Sequence, residues 1–242
     1  LGLFDIFTGG SGAQKALRLK SKIVQKYGEP SGRQKAMEEL GKMQIPEAVS
    51  VLMSRFTVSV EPGTIDADEK DHVLELVTGF GKMAVDPVLD FLRRNDSASS
   101  WAVRILEGIL PEPEVVACLT DFLGEIGPKY MRDPEKKVVV IQYLAGKDNA
   151  RIAEVLTPIL DDMSDDVKIA ALSALGPLKY EPAREPILKL LVGEETGKRV
   201  QKAALDALAV SGFGVQGFRE KVESRMVDPY SLDKSGVIQK RA

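Results

Sequence analysis

The chain has 242 residues, of which 44 % are hydrophobic and only 6 % aromatic, and its formal net charge is −3. That length can bury the core of one large domain or two small ones, and an excess of Ala and Leu over aromatics points to close-packed helices rather than a β-sandwich. The lone cysteine, Cys118, excludes an intramolecular disulfide and a Cys-based zinc site; the charge balance offers no global field for nucleic acid; and with no apolar run of the ~18 residues a membrane span needs, a cytoplasmic protein is expected.

The N-terminus opens with an apolar cluster, Leu1, Leu3, Phe4, Ile6 and Phe7, followed by the Gly-rich stretch Thr8–Gly12. Residues 1–12 are expected to form an apolar peptide on a flexible linker, able to dock through Leu3, Phe4, Ile6 and Phe7. Ala13–Tyr27 has helical spacing, with Ala16, Leu17, Ile23, Val24 and Tyr27 on one side and Lys15, Arg18, Lys20, Lys22 and Lys26 elsewhere. Residues 13–30 are therefore expected as a basic amphipathic helix capping whatever follows. Five cations and no anion also suit an anionic membrane surface or an acidic partner.

From residue 31 a pattern of small-or-apolar, apolar, x, x, apolar recurs six times: Ala36-Met37-x-x-Leu40, Leu76-Val77-x-x-Phe80, Ile105-Leu106-x-x-Ile109, Val140-Ile141-x-x-Leu144, Ala171-Leu172-x-x-Leu175 and Ala204-Leu205-x-x-Leu208. Its last members stand 40, 29, 35, 31 and 33 residues apart. A second apolar stripe follows each copy after a break at Gly41, Gly81, Pro111, Gly146, Gly176-Pro177 or Gly212, residues suited to stopping a helix. Ser31-x-x-Gln34 and Asp66-x-x-Glu69 have the spacing of capping boxes, and Asp133, Ser164 and Thr196 are further cap candidates. Each unit is thus helix A, turn, helix B, turn, and must stack on its neighbours to bury both stripes. The connection "TVSVEPGTIDADEKD" is longer than the others and is expected to be extended at Val58 and Val60 before the next helix. At the end, Tyr230-Ser231-Leu232 and Val237-Ile238-Gln239 flank "DKSG", so residues 227–242 are expected as a short hairpin or a tail.

"DDVKIAALSALGPLKYEPAREPILKLL" resembles a HEAT repeat of the short bacterial kind termed PBS-lyase HEAT-like. Residues 134–212 fit that pattern well, 31–56 reasonably and 66–126 loosely, and the resemblance covers roughly 31 to 226. It implies an all-α, right-handed α-solenoid of about six helix pairs, with the B helices on the concave, ligand-facing side. It implies a binding scaffold more than an activity.

The chain offers little for catalysis. Its single histidine, His72, lies in an acidic helix start, and Cys118 sits between Ala117 and Leu119 in an apolar stripe. No phosphate-binding loop, dinucleotide fingerprint or nucleophile elbow is present. Asp68 and His72 are four apart and supply at most two metal ligands, and acidic residues in a first helical turn answer the helix dipole instead. No catalytic, cofactor or metal site is expected, nor a small-molecule substrate. A HEAT-like DNA glycosylase would need a basic groove around Trp101, and the B stripes mix Arg with Asp and Glu; nothing marks a bilin lyase. The expected function is a non-catalytic scaffold holding a protein or peptide along the B-helix surface through Arg55, Arg93, Arg94, Arg151 and Arg184, whose guanidinium forks suit carboxylate or phosphorylated motifs. The alternatives are a peripheral membrane adaptor recruited through residues 1–27 and a DNA-binding protein.

Overall fold

The computed structural model describes residues 5–147 and 149–241, with side chains from residue 12 onward. These residues form thirteen α-helices and two short strands, so the chain is all-α with a small C-terminal hairpin. Among them no helix is long and apolar enough to cross a membrane. Two compact units divide the chain, Leu1–Val115 and Val116–Ala242.

The first unit contains α1 (Asp5–Ile23), α2 (Pro30–Gly41), α3 (Pro46–Met53), α4 (Gly63–Gly79), α5 (Val85–Arg94), α6 (Ser99–Ile109) and the start of α7 (Glu112–Ile126). Its helices pack in two rows: α2 on α4 and α4 on α6, against α1 on α3 and α3 on α5. Helix α1 therefore occupies the place in the B row that precedes α3. Ala16, Leu19 and Ile23, spaced three and four apart, are its buried stripe. Leu17 and Tyr27, expected on that stripe, are instead 61 % and 97 % exposed, because the stripe is centred one position away and the helix ends at Ile23. The helix also runs through Thr8–Gly12, the stretch expected to be a linker. A side chain at Gly12 would meet Ile45 at 3.4 Å, so tertiary contact at this glycine outweighs its poor helix propensity. Leu3 and Phe4 lie outside the described residues, as do the side chains of Ile6 and Phe7.

Neither proposed capping box forms. Pro30 opens α2 with Glu29 before it and no side-chain cap, which suits a residue lacking an N–H. Helix α4 starts three residues before Asp66, placing Asp66 and Glu69 inside it, where they meet buried cations. Glu69 accepts from Arg33 Nε at 2.9 and 3.0 Å and from Arg55 Nε at 3.0 Å. Arg55 Nη2 donates to Asp66 at 2.7 Å, and Lys70 Nζ does so at 2.6 Å. Arg33 also reaches the carbonyls of Gln25 and Gly28, and Arg55 that of Val58. Five charges thus pin the turn after α1, the end of α3 and the long connection to α4. Burial pushes the Asp66 carboxyl up, but hydrogen bonds from Lys70, Arg55 and the Val60 N–H outweigh it and hold the group below its ordinary value.

In the second unit α8 (Glu135–Leu144), α10 (Asp165–Leu178) and α12 (Lys198–Ser211) form one row. Helix α9 (Ala150–Ile159) packs on α10, and α11 (Arg184–Val192) on α12 and α13 (Arg219–Glu223). The expected break at Gly176-Pro177 does not occur: α10 continues to Leu178 and stops at Lys179, which takes the left-handed conformation. Gly176 serves packing instead, since a Cβ there would stand 3.2 Å from Ala207 Cα of α12. The strands β1 (Tyr230–Leu232) and β2 (Ile238–Lys240) pair antiparallel and lie against α12. Asp206 of α12 fastens them, accepting from Tyr230 Oη at 2.7 Å and Lys240 Nζ at 2.6 Å. A buried ion pair, Lys137 with Asp162, ties α8 to the turn before α10.

Candidate functional site

The five arginines expected on the B surface have different fates, and packing decides each one. Arg55 is wholly buried in the charge cluster with Glu69 and Asp66, which removes it from any contact surface. Arg184 is half-buried and clamps the segment before α13, donating to the carbonyls of Gly214 and Gln216 at 2.7 Å each. Arg151 is exposed but bridges to Asp121 at 2.8 Å. Arg93 and Arg94 are exposed at the end of α5, both leaning on Asp90, at 3.2 and 3.8 Å. Arg55, Arg93 and Arg94 belong to the first unit, Arg151 and Arg184 to the second.

What the first unit does present on its B row is a groove of about 460 Å³ between α1, α3 and α5. Lys20 and Lys26 stand on one side, from α1 and the turn after it; Ser50, Ser54 and Thr57 follow along α3 and the 3₁₀ turn that extends it. Val24, Val58 and the largely buried ring of Phe91 form the apolar part, and Asn95 closes the end. Each hydroxyl hydrogen is already committed to the main chain: Ser50 to Pro46 O at 3.2 Å, Ser54 to Val51 O at 2.6 Å, Thr57 to Ser54 O at 2.8 Å. Asn95 likewise donates to Phe91 O at 2.9 Å. These hydroxyl oxygens therefore meet an incoming group as acceptors, while the two ammonium groups and the second amide N–H of Asn95 are the donors. Among the described residues no carboxylate lines the groove. Apolar periodicity does not reveal this site, because hydroxyl residues on α3 carry no apolar signal; its trace in the sequence is a Ser50-x-x-x-Ser54-x-x-Thr57 ladder at helical spacing.

Other residues singled out in the sequence have structural surroundings. Trp101 stacks on Phe56 with ring centroids 4.8 Å apart, and the Arg104 guanidinium lies over it at 4.5 Å. His72 borders a recess of about 220 Å³ with Gln34, Met37 and Asp68, and its Nε2 is buried without a hydrogen-bond partner among the described residues. Cys118 is half-buried in α7.

No protein-family model matches the chain, and no curated protein sequence matches it. Among solved structures it is similar to human deoxyhypusine hydroxylase in complex with glycerol, at 13 % identity over 91 % of this chain and 92 % of that one, with a TM-score of 0.36. It is also similar to a computationally designed self-assembling cyclic homooligomer, at 13 % identity over 89 % and 88 % of the two chains, with a TM-score of 0.20. Overlaps this loose transfer neither an activity nor an assembly to this chain.

Proposed function

We propose that the chain is a right-handed repeat array of about six HEAT-like helix pairs that acts as a non-catalytic scaffold, and that it holds an acidic, partly apolar protein segment in the groove between α1, α3 and α5. The observation that carries this reading is the groove's chemistry: Lys20 and Lys26 as donors, a ladder of hydroxyl acceptors, an apolar floor and no carboxylate among the described residues, in a chain of net charge −3. Carboxylate side chains of the segment would meet the ammonium groups, and its N–H or hydroxyl donors would meet Ser50, Ser54 and Thr57. A-on-A packing in both units, and B-on-B packing of α1, α3 and α5 in the first, support the repeat reading. The test is fluorescence polarisation with acidic amphipathic peptides and charge-reversed controls. Lys20→Glu/Lys26→Glu is expected to weaken acidic-peptide binding by about tenfold or more, and Lys221→Glu, on α13, to leave it unchanged. Equal binding by all three proteins would sink the proposal, as would preference for the basic peptides.

A second reading has its own observation. Leu17 projects 61 % exposed from α1, three residues before Lys20, and an apolar side chain beside a cation is the pairing that a helix lying on an anionic membrane would use. Co-sedimentation with phosphatidylserine vesicles, lost on Leu17→Glu and at high salt, would favour a membrane adaptor; no sedimentation of the unaltered protein would eliminate it.

A further inference from the structure

The second unit holds a pocket of about 370 Å³ between the start of α12, the end of α13 and the hairpin. Three cations line it: Lys198, Lys202 and Arg225. Arg225 is half-buried, and neither its guanidinium nor the Lys198 ammonium meets a carboxylate among the described residues. A partly desolvated guanidinium with no counter-ion is unfavourable, and it gains when an anion fills the space before it. Lys202 does have a partner, Asp206 at 3.2 Å. That carboxylate already accepts from Lys240 and Tyr230, so Lys202 can turn to a second anion without stranding Asp206.

The lining's charge selects the kind of anion. Against the three cations stands one carboxylate, Asp228, and Asp206 outside is offset by Lys240. The surplus is therefore about two positive charges, which a monovalent carboxylate would only half neutralise and a phosphomonoester, carrying about −1.5 to −2 at pH 7, would match. An Arg fork with two ammonium groups also supplies donors for all three terminal oxygens of a phosphoryl group. The rest of the pocket suits what the phosphate is attached to. Leu205 is its apolar floor and Val227, 56 % exposed, an apolar rim. The Ser224 hydroxyl has given its hydrogen to Lys221 O at 2.7 Å and keeps lone pairs for a ligand donor.

We propose that this pocket binds the phosphoryl group of a phosphomonoester through Arg225, Lys198 and Lys202. The site is independent of the groove in the first unit, and either can fail without the other. Isothermal titration calorimetry on the full chain tests it, with a phosphoserine peptide, its unphosphorylated twin, glycerol 3-phosphate and acetate at constant ionic strength. Saturable binding of a phosphomonoester is expected, absent for the unphosphorylated peptide and for acetate. Arg225→Gln and Lys198→Gln should each weaken it by about tenfold. Tighter binding of the phosphopeptide identifies a modified protein as the source, and tighter binding of glycerol 3-phosphate a small metabolite. Lys198 is exposed, so its variant decides the matter if circular dichroism shows that Arg225→Gln has lost helix. Absence of saturable binding by either phosphomonoester overturns the proposal, and so does binding that a folded variant leaves unchanged.

Discussion

Glu69 shows how differently one charge can matter from another. It joins two arginines that are almost wholly buried, 2 % and 0 % exposed, so replacing it leaves cations without compensation in a low-dielectric site. Glu69→Gln is expected to destabilise the fold by about 3–5 kcal/mol, read from the urea midpoint. Arg151→Ala removes an ion pair that is 60 % and 62 % exposed and should cost less than about 1 kcal/mol. Similar costs for the two would refute the burial argument. Asp233 offers a second test at a single residue. Its carboxylate accepts from the Ser235 hydroxyl at 2.6 Å and the Val237 N–H at 2.9 Å, and those bonds, the Ser235 one foremost, pull its pKa down to about 2. NMR titration should find that value and a rise toward about 3.9 in Ser235→Ala.

At the scale of elements, helix-to-helix distance within a row is set by the small residues at the contact. Gly176 of α10 faces the backbone of Ala207 in α12, so a branched side chain must push the two helices apart. Gly176→Val is expected to cost about 1–3 kcal/mol. Gly32 in α2 has nothing within 4 Å of a would-be Cβ and a helical φ; Gly32→Ala should therefore stabilise, by up to about 1 kcal/mol. Thermal denaturation of both variants checks the pair of opposite signs. The hairpin is an element of the same kind: two three-residue strands are marginal alone, and burial of Tyr230 and Ile238 against α12, with the Asp206 bonds, keeps them in place.

For the whole molecule, the acid response follows from carboxylates in both units. Asp66 in the first and Asp206 and Asp233 in the second all titrate below their ordinary value when folded. The unfolded chain then binds more protons than the folded one below about pH 4, so their contribution is fully present above that pH and is lost as pH falls through the depressed values. The melting temperature should drop as pH is lowered from about 5 to 3. A melting temperature unchanged over that interval would contradict the assignment. Exposed ion pairs join residues about thirty positions apart in sequence, Asp71 with Arg104, Lys82 with Glu114, Asp121 with Arg151 and Asp166 with Arg199. They use up charges that a surface reading would assign to partners.

The sequence by itself determined the all-helical class and the apolar stripes along most helices, because a 3.6-residue periodicity is local and each stripe is written in consecutive residues; at the C-terminus it left a hairpin and a tail both open. It also showed that the N-terminal helix is basic, since charge is read directly. Only the tertiary structure decided which charges reach solvent. Arg55 and Arg93 occupy similar places near the ends of B helices, yet one is wholly buried and the other exposed, because Glu69 and Asp66 arrive from α4 to receive the first. The same long-range packing turned Gly176 from a helix stop into a helix contact. It also assembled the groove of Lys20, Ser50 and Asn95 and the pocket of Lys198 and Arg225 from residues far apart in the chain. Periodicity fixes what each helix buries against its neighbours; what neighbouring helices leave uncovered between them depends on distances that no local pattern contains.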